Sequence, residues 1–258
     1  MRRLSRREAM TTAGTVSLAS FLAACGGGGE KTAATPVPTE EGAEATVTPS
    51  TRTARATAEL FGEATQCTLS PELTEGPYYF DVDSIRSDIT EDREGTPLRL
   101  ALRVLDAGSC EPVSNAVVDI WHCDAEGLYS GFEAAWTGGP GGPGGGGRSD
   151  EETYLRGAQV TNADGIIEFK TIYPGWYRGR TVHIHTKIHL DRRTVLTTQL
   201  FFDERVSERV YAAQPYAGDT GRDTFNDSDG IFSDDLVLTA RRDGDGWLGL
   251  LTFNVRRA

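Results

Sequence analysis

Apolar and polar positions alternate along most of the chain beyond residue 65, with the period of two that marks a strand burying one face. The run 98–105, Leu-Arg-Leu-Ala-Leu-Arg-Val-Leu, is such a strand, and 106–109 reads as the turn after it. Residues 116–123 form a second run, closed by Asp124-Ala125-Glu126-Gly127. Residues 159–161 and 166–170 flank Asn162-Ala163-Asp164-Gly165 and read as a hairpin with glycine at its turn. In the long run 181–190, Val182, Ile184, Ile188 and Leu190, with Thr186 among them, share the face expected to enter the core. Thr181, His183, His185, Lys187 and His189 share the other. Runs at 197–202, 236–238 and 247–255 complete the set, and only 204–211 reads as a short helix. Many short strands with Gly and Asp turns predict an all-β fold. The architecture expected is an antiparallel β-sandwich with long connecting loops and little helix.

The ends of this pattern set the domain bounds. Residues 1–24 begin Met-Arg-Arg-Leu-Ser-Arg-Arg and run through a mild apolar stretch, which reads as an export signal rather than a membrane span. Ser5-Arg6-Arg7 looks like a twin-arginine signal, and Leu22-Ala23-Ala24-Cys25 like a lipobox that would put a lipid on Cys25. Residues 25–64, rich in Gly, Ala, Thr, Pro and Glu, lack the apolar density for a core and read as a disordered tether. Residues 65–258 are then one domain of an exported cell-envelope lipoprotein that meets the membrane only through its anchor. The Gly-rich stretch 138–147 has no Gly-Lys-Ser/Thr ending, so it reads as a tolerated surface insertion and not a phosphate loop.

Charge narrows the partners. The formal net charge is −12, and residues 1–24 carry four arginines and one glutamate, so the remainder is near −15. That argues against nucleic acid or anionic lipid as the main partner. Apart from Cys25, the cysteines are Cys67, Cys110 and Cys123; in an oxidising compartment two of the three are expected to pair, with the pairing open. Their spacing is not a zinc pattern.

The candidate chemistry lies in the run 173–185. His183 and His185, two of only four histidines, stand at i and i+2 on one strand and point to one side. Tyr177 and Tyr129 each end a strand-like run at a glycine-containing turn, where a side chain can reach inward. A phenol has a pKa near ~10, so binding as phenolate needs a strong Lewis acid. Hard trivalent iron satisfies this better than zinc or magnesium, and imidazole also suits iron. Two phenolates with two neutral imidazoles leave one hydroxide to balance Fe(III).

Five blocks in order carry a resemblance: Thr74-Glu75-Gly76-Pro77-Tyr78-Tyr79, the run 118–129, Tyr173-Pro174-Gly175-Trp176-Tyr177, Arg180-Thr181-Val182-His183-Ile184-His185, and Thr197-Thr198-Gln199-Leu200-Phe201-Phe202. The chain resembles the intradiol ring-cleavage dioxygenases, over roughly 69–202. The resemblance implies that Tyr129, Tyr177, His183 and His185 bind Fe(III), with Tyr177 the axial phenolate that leaves when substrate arrives. It implies Arg180 as a cation beside the reacting ring, Gln199 as a pocket residue, and Gly76, Pro77 and Tyr78 as the pocket lining. The implied reaction takes a catechol-type small molecule and O2 and cleaves the ring between the hydroxylated carbons to a muconate-type diacid. His183 comes only six positions after Tyr177, a shorter step than in the catechol and protocatechuate enzymes, which implies a more open pocket. The extended N-terminal helical region of the catechol branch is not found, so the same dimer does not follow and oligomeric state stays open.

His122 reads as structural or supporting, His189 as solvated, and Trp121 and Trp176 as core or pocket wall. Three competing readings remain: a non-catalytic surface binding module, a zinc or copper enzyme using the histidine pair, and a hydrolase. The last lacks a Gly-x-Ser-x-Gly pattern. The substrate stays open among catechol, hydroxyquinol, and lignin-derived or halogenated catechols.

Overall fold

Two four-stranded sheets stack face to face, and each outer face is covered by a segment that is not strand. The computed structural model describes residues 35–38, 44–47, 56–62, 67–82, 84–133, 148–191 and 193–257. The export signal, Cys25 and the Gly-rich stretch 138–147 lie outside the described residues. Among the described residues, strands β1 (Thr35–Pro38) and β2 (Glu44–Val47) pair only with each other. The sandwich is built from β3 (Pro97–Asp106), β4 (Val117–Trp121), β5 (Arg156–Val160), β6 (Ile166–Ile172), β7 (His183–Leu190), β8 (Arg193–Phe201), β9 (Thr239–Asp243) and β10 (Gly246–Val255). One sheet runs β6-β3-β10-β9 and the other β5-β4-β7-β8. No helix among the described residues is long and apolar enough to cross a membrane.

The alternation seen along the chain sets the inner faces. Leu98, Leu100, Leu102 and Val104 of β3 meet Val118 and Ile120 of β4, Ile184 and Ile188 of β7 and Leu200 of β8 in one buried cluster. Each such side chain withdrawn from water contributes about 1.5–3 kcal/mol. The outer face of the first sheet is covered by part of the stretch read as a tether. Ala58–Phe61 forms a 3-10 turn, and Ala56, Leu60 and Phe61 pack on Ala101, Leu248 and Leu250. A disulfide joins Cys67 to Cys110, and Cys123 is free and buried. Two of the three cysteines do pair, as expected of an oxidising compartment.

The two sheets form the antiparallel sandwich expected, with one parallel pair, β10 with β3. Two finer expectations are corrected. The run 159–170 is no hairpin: β5 pairs with β4 and β6 with β3, so residues 161–165 cross from one sheet to the other. Gly165 (φ 73°) sits so close to Val104 that a Cβ would lie 2.4 Å from its carbonyl oxygen. That contact, with the Val104 amide donating to the Gly165 carbonyl at 2.8 Å, draws the turn onto β3. The run 236–238 is no full strand: a 3-10 turn, Asp234–Leu236, ends in it, Val237 makes only an isolated parallel bridge to Phe201, and β9 follows. The short helix is where it was expected. Helix α1 (Glu204–Tyr211) starts at Asp203, whose carboxylate accepts from the Arg205 amide and so caps the first turn.

Candidate metal centre

The outer face of the sheet β5-β4-β7-β8 carries the site. Register aligns four residues in one row across it: Arg156 on β5, Trp121 on β4, His185 on β7 and Gln199 on β8. Directly opposed residues point to the same side, so these four side chains share a face, away from the sandwich core. The Trp121 indole stacks on the His185 imidazole with centroids 4.9 Å apart and planes within 6°. Residues 71–80 cross the strands as a strap over this row. The Leu73 amide donates to the Thr197 carbonyl at 2.9 Å, and Gln199 Nε2 donates to the Thr74 carbonyl at 2.9 Å. Gly76, at φ 75°, lies against the imidazole, where a Cβ would be 3.0 Å from His185 Cε1. A side chain there would push the strap off the histidine.

Two turns bring the phenols in. Tyr129 follows the turn at Asp124, whose carboxylate accepts from the Glu126 and Leu128 amides, each at 2.9 Å. Tyr177 follows Gly175, whose amide donates to the Asp124 carbonyl at 2.8 Å. Gly127 closes the gap: a Cβ there would sit 2.4 Å from the Trp176 carbonyl oxygen. Residues 48 apart in sequence thus share one corner. The six-residue step from Tyr177 to His183 is taken by a tight turn in which Tyr177 and Arg180 form a β-bridge.

The donor atoms converge. His183 Nδ1 lies 2.6 Å from the Thr181 carbonyl, which can only accept, so Nδ1 carries the proton and Nε2 keeps its lone pair. Facing that one lone pair are Tyr177 Oη at 2.9 Å, His185 Nε2 at 3.2 Å and Tyr129 Oη at 3.4 Å. One lone pair accepts one good hydrogen bond, so three partners cannot all be satisfied. A cation among these four inward-facing groups would relieve the crowding, and phenols with neutral imidazoles are a donor set that would suit iron. His185 Nδ1 is buried with no partner among the described residues. Burial, then Arg180, lowers the His183 pKa to about 3, and burial, then His183, drives His185 well down, so both imidazoles are neutral. Burial, then the neighbouring Tyr177, pushes the Tyr129 phenol well up, and burial also raises Tyr177. Among the described residues no group of three His, Cys, Asp or Glu could hold a metal; the groups that stand beside this histidine pair are two phenols.

The other expected residues are close by. Arg180 donates from Nε to Asp229 Oδ2 at 2.9 Å and from a terminal nitrogen to Gln199 Oε1 at 2.5 Å. Tyr78 is buried with its ring 4.8 Å from Tyr129 and 5.1 Å from Phe132, whereas Pro77 is exposed. His122 faces the other way. Its Nδ1 donates to the Cys123 carbonyl at 2.7 Å, so its Nε2 accepts from Thr171 Oγ1 at 2.8 Å. His189 is half-buried, with Nδ1 3.1 Å from Thr194 Oγ1. Sequence reasoning overlooked Arg156, Phe132 and Tyr79. Arg156 is fully buried, donates to Ser130 Oγ and the Ser130 carbonyl at 2.8 Å, and lies over the Phe80 ring. An arginine in the otherwise apolar run 154–158 was the available signal.

His122 yields a pH prediction. Burial lowers its pKa to about 4. Below pH 6.5 the unfolded chain binds a proton that the folded chain refuses, so stability falls between the two values, by about 1.4 kcal/mol per unit for this group. In His122→Gln the loss of stability between pH 7 and pH 5 should be smaller than in wild type by about 1–2 kcal/mol. Urea unfolding at both pH values checks this; equal pH slopes would refute it.

Known proteins resemble this chain over most of the domain. The family model Dioxygenase_C, described as "Dioxygenase", matches residues 70–216. The intradiol ring-cleavage dioxygenase from Tetranychus urticae is 36% identical, with 74% of this chain and 95% of that one covered and a TM-score of 0.69. The dioxygenase domain of a dioxygenase carbohydrate-binding protein fusion from Streptomyces sp. SirexAA-E is 30% identical, with 74% and 100% covered and a TM-score of 0.53. Catechol 1,2-dioxygenase 1 of Acinetobacter lwoffii is 30% identical over 153 residues, 50% of this chain and 45% of that protein. The chain spans about half the length of the curated relatives it matches. It belongs to the dioxygenase family, in its intradiol ring-cleavage group.

Proposed function

We propose that the protein is a non-haem Fe(III) dioxygenase that cleaves a catechol-type ring between its two hydroxylated carbons. The observation that carries this is the convergence of Tyr129, Tyr177 and His185 on His183 Nε2. Tyr129, Tyr177, His183 and His185 would hold the iron. Bound there, it supplies Lewis acidity that draws electron density from a chelated catechol and readies the ring carbon for O2. Both oxygen atoms enter the product, so one catechol and one O2 give one cis,cis-muconate-type diacid and no external reductant is consumed.

The chain's own residues do the rest. Tyr177 is only half-buried and sits on a short turn, so it is the ligand able to swing away and take a proton from a catechol hydroxyl at its Oη. Arg180, held by Asp229 and Gln199, presents a fixed positive charge to the anionic ring, which costs no reorganisation during reaction. Gln199 cannot rotate freely, because its amide spans Arg180 and the Thr74 carbonyl. Gly76, Pro77 and Tyr78 would line the pocket, with the Tyr78 ring, backed by Phe132, as the aromatic face for a planar ring. The reading includes export, a lipid on Cys25 and work at the outer face of a bacterial membrane. It is supported by the basic, apolar start of the chain and by the Cys67–Cys110 bond, which an oxidising compartment maintains.

The test is oxygen uptake with catechol, hydroxyquinol and halogenated catechols, with product identification and metal analysis on protein from its native host. Iron, a visible phenolate-to-iron absorption band and one O2 per ring cleaved are the expected results. Tyr177→Phe should shift that band. Iron-replete protein that cleaves none of these substrates, or protein that carries zinc or copper instead, overturns the proposal.

A further inference from the structure

The strap 71–80 is fastened at a second point by a charged group unconnected with the iron donors. Lys187, two residues beyond His185 on β7, pairs with Glu75 Oε2 on the strap. Its ammonium also lies 3.7 Å from the centre of the Tyr79 ring, a cation–π contact. Tyr79 Oη in turn donates to Asp119 Oδ2 at 3.3 Å, and register sets Asp119 directly across from Lys187. The Tyr79 ring packs on Trp121 with centroids 4.8 Å apart. Lys187 is largely withdrawn from solvent, its side chain 13% exposed, so its contacts are screened less than a surface pair's. Its two strap partners, Glu75 and Tyr79, bracket Gly76, Pro77 and Tyr78. The ammonium therefore pulls down both ends of the segment that lies over His185 and stacks on Tyr129.

We propose that Lys187 is a positioning residue that sets substrate affinity by latching the strap at Glu75 and Tyr79, so that Gly76–Tyr78 form a fixed wall of the ring pocket. This rests on the reading of the site as a catechol pocket. The strap is also tied by hydrogen bonds from β8 to Pro71, Leu73 and Thr74 and by the one from Tyr79 to Asp119, but none of these is a charge–charge contact at Glu75. Without the ammonium, its far half keeps the Tyr79–Trp121 stack and the Tyr79–Asp119 hydrogen bond but loses the electrostatic hold beside His185. A loosened wall weakens binding of substrate and transition state alike, which raises KM and leaves kcat nearly unchanged.

The experiment compares wild type, Lys187→Met, Lys187→Arg and Glu75→Gln as iron-loaded full-length proteins. Steady-state kinetics are measured on the best catechol, and backbone hydrogen exchange over 72–80. In Lys187→Met, KM should rise about tenfold with kcat within about twofold, the size expected for losing one partly buried ion pair and one cation–π contact. Exchange over 72–80 should quicken, Lys187→Arg should recover most of both effects, and Glu75→Gln should shift both in the same direction. Should Lys187→Met fold poorly, Glu75→Gln, which alters the more exposed partner, carries the test. Unchanged exchange, or a fall in kcat at constant KM, overturns the proposal. Faster exchange at constant KM overturns it too, because the strap would then not govern affinity. A wild type that cleaves no catechol at all sinks the functional reading instead, and the exchange measurement still decides whether the latch exists.

Discussion

His183→Ala is expected to lose its iron, its colour and its activity together, while the metal-free protein still folds. His183 Nε2 is the atom on which the other three donors close, at 2.9, 3.2 and 3.4 Å. Without it, two phenols and one imidazole remain around a space that water enters. Bound iron should fall below about a tenth of the wild-type content, and ring cleavage below about one thousandth, because a lost Lewis acid withdraws several kcal/mol of transition-state stabilisation. The fold should survive. The imidazole is neutral, its Nδ1 bonds only to the Thr181 carbonyl two residues away, and the core of the sandwich lies on the opposite face of β7. Iron analysis, the visible spectrum and far-UV circular dichroism on one preparation separate the alternatives. Full iron and unchanged colour in His183→Ala would remove His183 from the ligand set and, with it, the geometric basis of the function.

Much of this centre was legible because β7 is regular as far as Ile188. A period of two puts Val182, Ile184 and Ile188 on one face and His183 and His185 on the other, and a local pattern reports that directly. The phenols were legible only through their turns: no local rule says that Tyr129 and Tyr177 meet. They meet because Gly127 and Gly175 allow two loop backbones to touch, a contact between distant segments. The same limit explains the errors. An Asn-Ala-Asp-Gly turn between two apolar runs signals a hairpin, but which sheet each run joins depends on packing, and Gly165 against Val104 sends β6 to the far sheet. Parallel pairing of β10 with β3 joins the last strand to the first of the sandwich, and nothing along the chain encodes it. The strap escaped notice as a structural unit because 71–80 has neither strand nor helix periodicity. Its order comes from the row of side chains beneath it, Gln199, His185, Trp121 and Arg156.

Arg180→Met should leave the centre intact and slow it by about a hundredfold to a thousandfold in kcat, the usual cost of removing a preorganised charge from where negative charge develops. Arg180 is not among the four donors, so iron content and the visible band should match wild type, which sets this variant apart from His183→Ala. The guanidinium is held from two sides. Nε meets Asp229, which also accepts from the Thr181 amide at 2.8 Å, and a terminal nitrogen meets Gln199 Oε1. The Gln199 amide is oriented unambiguously, since its Nε2 faces the Thr74 carbonyl and must donate there. Arg180→Lys should recover only part of the rate. An ammonium supplies the charge but not a planar fork that satisfies Asp229 and Gln199 together. The Asp229 carboxylate, kept below its ordinary range despite burial by the Ile231 and Thr181 amides and by Arg180, would then be left short of one partner. A kcat within a few-fold of wild type in Arg180→Met, with full iron, would show that the fork serves only to tie residues 177–181 to the loop bearing Asp229. The charge that assists ring cleavage would then have to come from elsewhere in the pocket.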